Sequence, residues 1–287
     1  VVVKGYLRAL LIAMAVPLLN YLFFGLAGFL QLRSLSPDLG RAVGAAAKAP
    51  LNIALVQAAS VGLIFIVAFP HKRQTQGFLE SVHVRPLVGG LAAMCFVGGA
   101  FLQLPLAEIG NLAQEVWPVS FDTVAYRHRL LNPTTWWGGV TALLAFVLVA
   151  PVTEELLFRG WLMQDLRRRY GTTPALIWSS VVFGLAHIGL PSAVPYAIAG
   201  GLVLGAVALR TRSTLASIAM HAGVNALPLL LPTALVRIDG FNTLDSEVVH
   251  ISPWLLVVSL AGAGLALAII WRSTEGQEGE EGEDREV

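Results

Sequence analysis

The stretch Ala150-Pro151-Val152-Thr153-Glu154-Glu155-Leu156-Leu157-Phe158-Arg159, running on through Gly160-Trp161-Leu162-Met163-Gln164-Asp165-Leu166 to Arg167-Arg168-Arg169, decides the fold. It follows an apolar run, Val140 to Val152, that reads as a membrane-buried helix. One charge at the centre of such a helix costs roughly 2.5–3.5 kcal/mol on insertion scales. Two carboxylates and a guanidinium within six residues therefore do not face lipid. They need a polar interior, and other helices must enclose it.

The rest of the chain agrees. Of its 287 residues 56% are hydrophobic and only 13% charged, against about 25% charged in a soluble domain. This is the composition of an all-α, polytopic membrane protein. The net charge of +1 offers nothing to a nucleic acid. The single cysteine, Cys95, lies in an apolar run, so neither a disulfide framework nor a cysteine metal cluster is expected. A span needs about 20 apolar residues. About eight candidates appear, near 6–30, 51–70, 87–107, 138–158, 174–190, 193–210, 214–232 and 252–272. Lys4 and Arg8 ahead of the first resemble a signal-peptide start, but no small-residue cleavage site follows, so an uncleaved helix is expected. Residues 1–272 read as one transmembrane domain with a motif-bearing core at 138–232. The acidic, glycine-rich stretch 273–287 reads as a disordered cytoplasmic tail. The longest connection, 108–137, carries Trp117, Trp136 and Trp137 and suits an interfacial aromatic belt or short amphipathic segment. With the N-terminus inside, twelve Lys and Arg fall in inside segments and six in outside loops, Arg159 being intramembrane. That bias puts both termini in the cytoplasm. The composition, rich in Ala, Gly, Leu and Val, points to a prokaryotic plasma membrane.

Three sets of polar side chains stand out within the spans. Glu155 and Arg159, four apart, share a helix face and can pair, whereas Glu154 is turned about 100° away. One carboxylate can thus be neutralised while the other stays free to act as a base, or all three form a structural ion cluster. Phe183 and His187 share a face of the fifth span. His187 could be a base, a partner for water, a metal ligand or an interhelical hydrogen bonder. His221 and Asn225 share a face of the seventh span and could both donate to an oxyanion, or clamp two helices. Gly223 between them would let another backbone approach. Pro151 would loosen its helix, and Gly201-x-x-x-Gly205 suits close helix packing. Ser179 and Ser180 read as packing or backbone-bonding residues; His71, His83, His128 and His250 read as loop residues.

The ordered set Glu154-Glu155-x-x-x-Arg159, Phe183-x-x-x-His187 and His221-x-x-x-Asn225 resembles the three-motif signature of the CAAX-protease and bacteriocin-processing (CPBP) family of intramembrane glutamate endopeptidases. The likeness covers about Val140 to Leu230. It implies an eight-helix fold whose polar cavity opens toward the cytoplasm. It implies Glu154 as general base on a water held with His187, His221 and Asn225 as the oxyanion site, and Glu155, Arg159 and Phe183 in support. It implies cleavage of a membrane-associated peptide or protein within the lipid bilayer and no cofactor. Three rivals stay open: zinc held by Glu154, His187 and His221; a non-catalytic peptide binder or bacteriocin-immunity protein; and a proton-coupled transporter. No internal repeat favours the last, and no H-E-x-x-H favours the first. Oligomeric state is left open.

Overall fold

The structure, a computed structural model, describes residues 49–68 and 77–275 together with Leu11, Ala15, Leu18 and Leu19. Apart from those four positions the expected span 6–30 lies outside the described residues, as do His71 and residues 276–287. Among the described residues every regular element is helical. They are α1 (Pro50–Ala68), the single turn α2 (Phe78–Ser81), α3 (Leu91–Val116), α4 (Phe121–Leu131), α5 (Trp136–Tyr170), α6 (Thr172–Leu185), α7 (Ala193–Thr211), α8 (Thr214–Leu230) and α9 (Pro253–Ser273).

Four of these, α3, α5, α7 and α9, are long and apolar enough to cross a membrane by themselves; α1, α6 and α8 are shorter apolar helices. The expectation of about eight spans is thus reached only in part. Short helices fit where they stand against other protein rather than lipid. α6 is closed by a left-handed Gly171 at its start and ends at Leu185, before His187. The connection 108–137 is mostly helical: α3 runs on to Val116, and α4 is an amphipathic helix. Trp136 and Trp137, 86% and 66% exposed, stand at the start of α5. A rise of about 1.5 Å per residue makes a helix of 35 residues roughly 50 Å long. That exceeds a hydrocarbon core of about 30 Å, so α5 tilts or protrudes.

α5 is not uniform. Two stretches, Leu143–Val149 and Leu156–Leu162, are π-helical. The first widens because the Ala150 N–H reaches back five residues to the Ala145 carbonyl. Pro151, the next residue, has no N–H to offer. The Phe146 carbonyl thereby loses both neighbouring helical donors, and a side chain from another helix can take it. The second stretch follows the same geometry, Met163 N–H bonding Phe158 O. π-bulges inside α-helices are often found at functional sites.

α3 and α8 make the closest crossing. A Cβ added at Gly99 would lie 1.9 Å from the Met220 carbonyl oxygen, and one at Gly223 1.9 Å from that of Phe96. Backbone meets backbone here, as the reading of Gly223 expected. Gly205 lies against Leu176 and Met163, while Gly201 makes room for Ser180 and for the Arg159 guanidinium.

The bundle has two distinct ends. At one, Thr214 donates to Val82 O (2.8 Å) and Ser213 to Arg85 O (2.6 Å). Arg85, Arg167, Arg168, Arg169, Arg210, Arg212 and Arg272 collect at this end. At the other, Asn111 donates to Gly240 O (2.8 Å) and Thr233 N–H to Asn132 Oδ1 (2.8 Å). Asn242 ties the 231–242 loop there, donating to Leu231 O and Val236 O (both 2.7 Å) and accepting from Ile238 N–H (2.8 Å).

Candidate active site

Of the three charged side chains in Glu154-Glu155-x-x-x-Arg159, two are buried completely. Glu155 and Arg159 are both 0% exposed and pair at 2.9 Å. The pairing expected from their spacing is therefore present, but it is only part of a larger cluster. His221 Nδ1 lies 2.9 Å from the same Glu155 Oε1. A carboxylate only accepts, so Nδ1 carries the proton and donates. Arg159 Nη2 donates to Gly201 O at 3.2 Å, which fastens α5 to α7. The guanidinium also stands 4.3 Å over the Phe183 ring. Glu155 is thus tied to Arg159 on its own helix and to His221 on α8, while Arg159 reaches α6 and α7.

Phe183 is the packing hub. Its ring meets those of Phe158 (5.1 Å), His187 (5.0 Å) and His221 (5.9 Å) between centroids, all edge to face. It spaces the two imidazoles apart and offers its face to the cation, which aromatic quadrupoles attract.

Glu154 points elsewhere, as its 100° offset requires. Its side chain is 14% exposed, and Oε2 lies 3.9 Å from His221 Nε2. That is too long for a direct hydrogen bond. His221 is therefore flanked by both neighbouring carboxylates, bonded to Glu155 through Nδ1 and 3.9 Å from Glu154 at Nε2. Gln57 on α1 donates to Glu154 Oε1 at 2.6 Å.

His187 departs from expectation. It sits in the turn after α6, not on a membrane helix, and its N–H bonds Gly184 O at 2.9 Å. Its Nδ1 lies 2.9 Å from Phe183 O. A carbonyl cannot donate, so Nδ1 donates and the neutral ring presents Nε2 as an acceptor. Asn225 Nδ2 donates to Phe146 O at 2.9 Å, the carbonyl that the π-bulge and Pro151 set free. One amide hydrogen of Asn225 is spent there and the other is not needed for that bond.

Glu154, Phe183, His187, His221 and Asn225 line one cavity of about 850 Å³. Gln57, Gln103, Asn111 and Tyr196 also line it, with Leu106, Phe146 and Val224 as apolar walls. The cavity extends to the end of the bundle that carries α4 and the 240–249 loop. That end is opposite the arginine-rich one. The two expectations about sidedness, from charge and from resemblance, therefore conflict: a cytoplasmic arginine end puts this mouth on the outer face.

Among the described residues no group of three or more His, Cys, Asp or Glu could hold a metal ion. The set Glu154, His187 and His221 is not such a group. Ser179 and Ser180 both donate to Leu176 O, as packing residues do. His128 is a correction: it lies on α4, bonded to Thr233 Oγ1 at 3.2 Å, and not in a loop. The reading of the sequence passed over Gln57 and the Phe146 carbonyl. The first had a visible signal, an amide midway along a mostly apolar helix. The second had none beyond Pro151.

The bundle therefore holds a buried Glu155-Arg159-His221 cluster behind a cavity that Glu154, His187, His221 and Asn225 line. Residues 135–227, about a third of the chain, match the family model described as type II CAAX prenyl endopeptidase Rce1-like. That segment contains all three motifs, and through it the chain is similar to the CPBP family. No curated protein and no solved structure matches it.

Proposed function

We propose that the protein is a glutamate-type intramembrane endopeptidase that hydrolyses a peptide bond of a membrane-associated peptide or protein. The observation that carries the reading is the division of labour between the neighbouring carboxylates. Glu155 is consumed by Arg159 and His221, whereas Glu154 faces the cavity beside His221. A water lying between Glu154 and His187 meets two acceptors for its two hydrogens, a carboxylate oxygen and the Nε2 of His187. Glu154 takes one proton as the water attacks the carbonyl carbon. The developing oxyanion is met by the second amide hydrogen of Asn225 and by His221 Nε2–H when that ring is doubly protonated. Glu154 then returns its proton to the leaving amine, so no acyl-enzyme forms. Phe183 and Arg159 hold the geometry.

The arginine-rich end is proposed to face the cytoplasm, since short basic segments remain there. The cavity mouth then faces the outer side of the membrane, and exported or membrane-resident peptides are the substrate class it serves.

Two assays test the reading. The first compares membrane and secreted peptides from cells carrying wild type or Glu154→Gln. The second follows purified protein in detergent with two internally quenched peptides, one ending in a prenylated Cys and three further residues, the other unmodified and apolar. Products present only with wild type are expected, and cleavage that persists in chelator. Identical peptide profiles with no cleavage of either probe would sink the peptidase reading.

A further inference from the structure

The cavity-facing carboxylate of the first motif is held from outside the segment that matches the family. α1 is apolar except at Asn52, Gln57 and Ser60. An amide placed midway along such a helix is costly unless it is bonded. Gln57 spends its N–H on Glu154 Oε1 at 2.6 Å, a short, charge-assisted contact. The bond occupies one carboxylate oxygen and leaves the other, Oε2, toward His221 Nε2. α1 packs along α5 at this level, so the donor comes from a rigid element and not from a loop.

We infer that Gln57 is a positioning residue for the reaction: it fixes the rotamer of Glu154 so that Oε2, and not Oε1, is the basic oxygen offered to the water. This rests on the assignment of Glu154 as the base. It also gives the N-terminal part of the bundle a chemical role beyond enclosing the cavity. Without the donor the carboxylate swings, and its basic oxygen is aligned with the water and His187 for a smaller part of the time. Orientation affects the chemical step, so kcat falls while substrate affinity holds.

The test uses full-length protein in detergent with the two quenched peptides above, and variants Gln57→Met, Gln57→Glu and Glu154→Gln. Methionine keeps the length and bulk of the side chain but donates nothing. A thermal melt first establishes that each variant is folded. The expectation for Gln57→Met is a kcat about tenfold to a hundredfold lower, the scale of one lost hydrogen bond to a charge, with KM within about twofold of wild type. Gln57→Glu is expected to lose more, since two carboxylates at that distance cannot both be ionised. A folded Gln57→Met with wild-type kcat, or one whose loss lies wholly in KM, overturns the inference while Glu154→Gln remains inactive. Activity retained in Glu154→Gln, or no cleavage of either peptide by wild type, overturns the assignment of the base, and the role of Gln57 with it.

Discussion

At the scale of single residues, neighbouring glutamates behave as opposites because a helix turns about 100° between them. Glu155 is a fully buried anion with two strong partners, so removing it strands a buried guanidinium and frees His221. Breaking a buried pair on one side costs about 3–5 kcal/mol. Glu155→Ala is therefore expected to lower the melting temperature markedly and abolish cleavage together. Glu154→Gln keeps the shape of a partly exposed side chain and should melt within a few degrees of wild type. It should nevertheless cut at least about 100-fold more slowly, the lower range of general-base contributions. Paired melts and cleavage rates check both. Equal destabilisation by the two substitutions would mean that the carboxylates share one structural role. The pairing of Glu155 with Arg159 was legible from spacing alone. Its bond to His221 was not, because 66 residues separate them and only the packing of α8 on α5 joins them.

At the scale of elements, two features position the site. The α3–α8 crossing has no room for a side chain at Gly99 or Gly223. Gly223→Ala must push the Phe96 carbonyl away, and overpacking of this kind costs about 1–3 kcal/mol. Because Gly223 lies between His221 and Asn225, the shift should also lower kcat. A melt combined with steady-state cleavage reads both, and a fully stable, fully active variant would contradict the crossing described. The second feature is the loop between α8 and α9. His250 in it bonds Glu108 Oε1 (2.7 Å) and Glu115 Oε1 (3.2 Å) on α3. These carboxylates hold its imidazole above the ordinary histidine value. Both ring nitrogens donate only in the protonated form. A raised folded value means that the clasp is complete below about 6.5, the ordinary value, and is lost as pH rises through the folded one. Protease nicking of the 231–252 loop should accelerate between about pH 6 and 8 in wild type. In His250→Ala it should be fast throughout. Such a clasp has no signature in sequence, since a loop histidine reads as solvated until its partners on another helix are known.

At the scale of the whole molecule, the cavity mouth and the arginine-rich end lie at opposite poles of the bundle. Sidedness therefore decides which compartment supplies the substrate. Cys95 is the only cysteine and is buried, so introduced thiols report cleanly. Ser246→Cys at the mouth is expected to react with an impermeant maleimide on intact cells. Ser273→Cys, beside Arg272, is expected to react only after permeabilisation. The reverse pattern would turn the mouth toward the cytoplasm and restore the sidedness that the family resemblance implies.

By itself the sequence determined that the chain is all-helical and apolar, and which polar residues within it to watch. Hydropathy and the cost of burying charge act locally along the chain, so they can be read without a structure. The span 87–107 ended too early and His187 was placed on a helix it only follows, because helix ends depend on which neighbours accept them. Only the tertiary structure decided which carboxylate faces the cavity. It brought His221 to Glu155, Asn225 to the carbonyl that Pro151 releases, and Gln57 to Glu154. Those contacts join residues 66 to 97 positions apart. No local pattern encodes them; they arise from how glycine crossings and π-turns set the helices against one another.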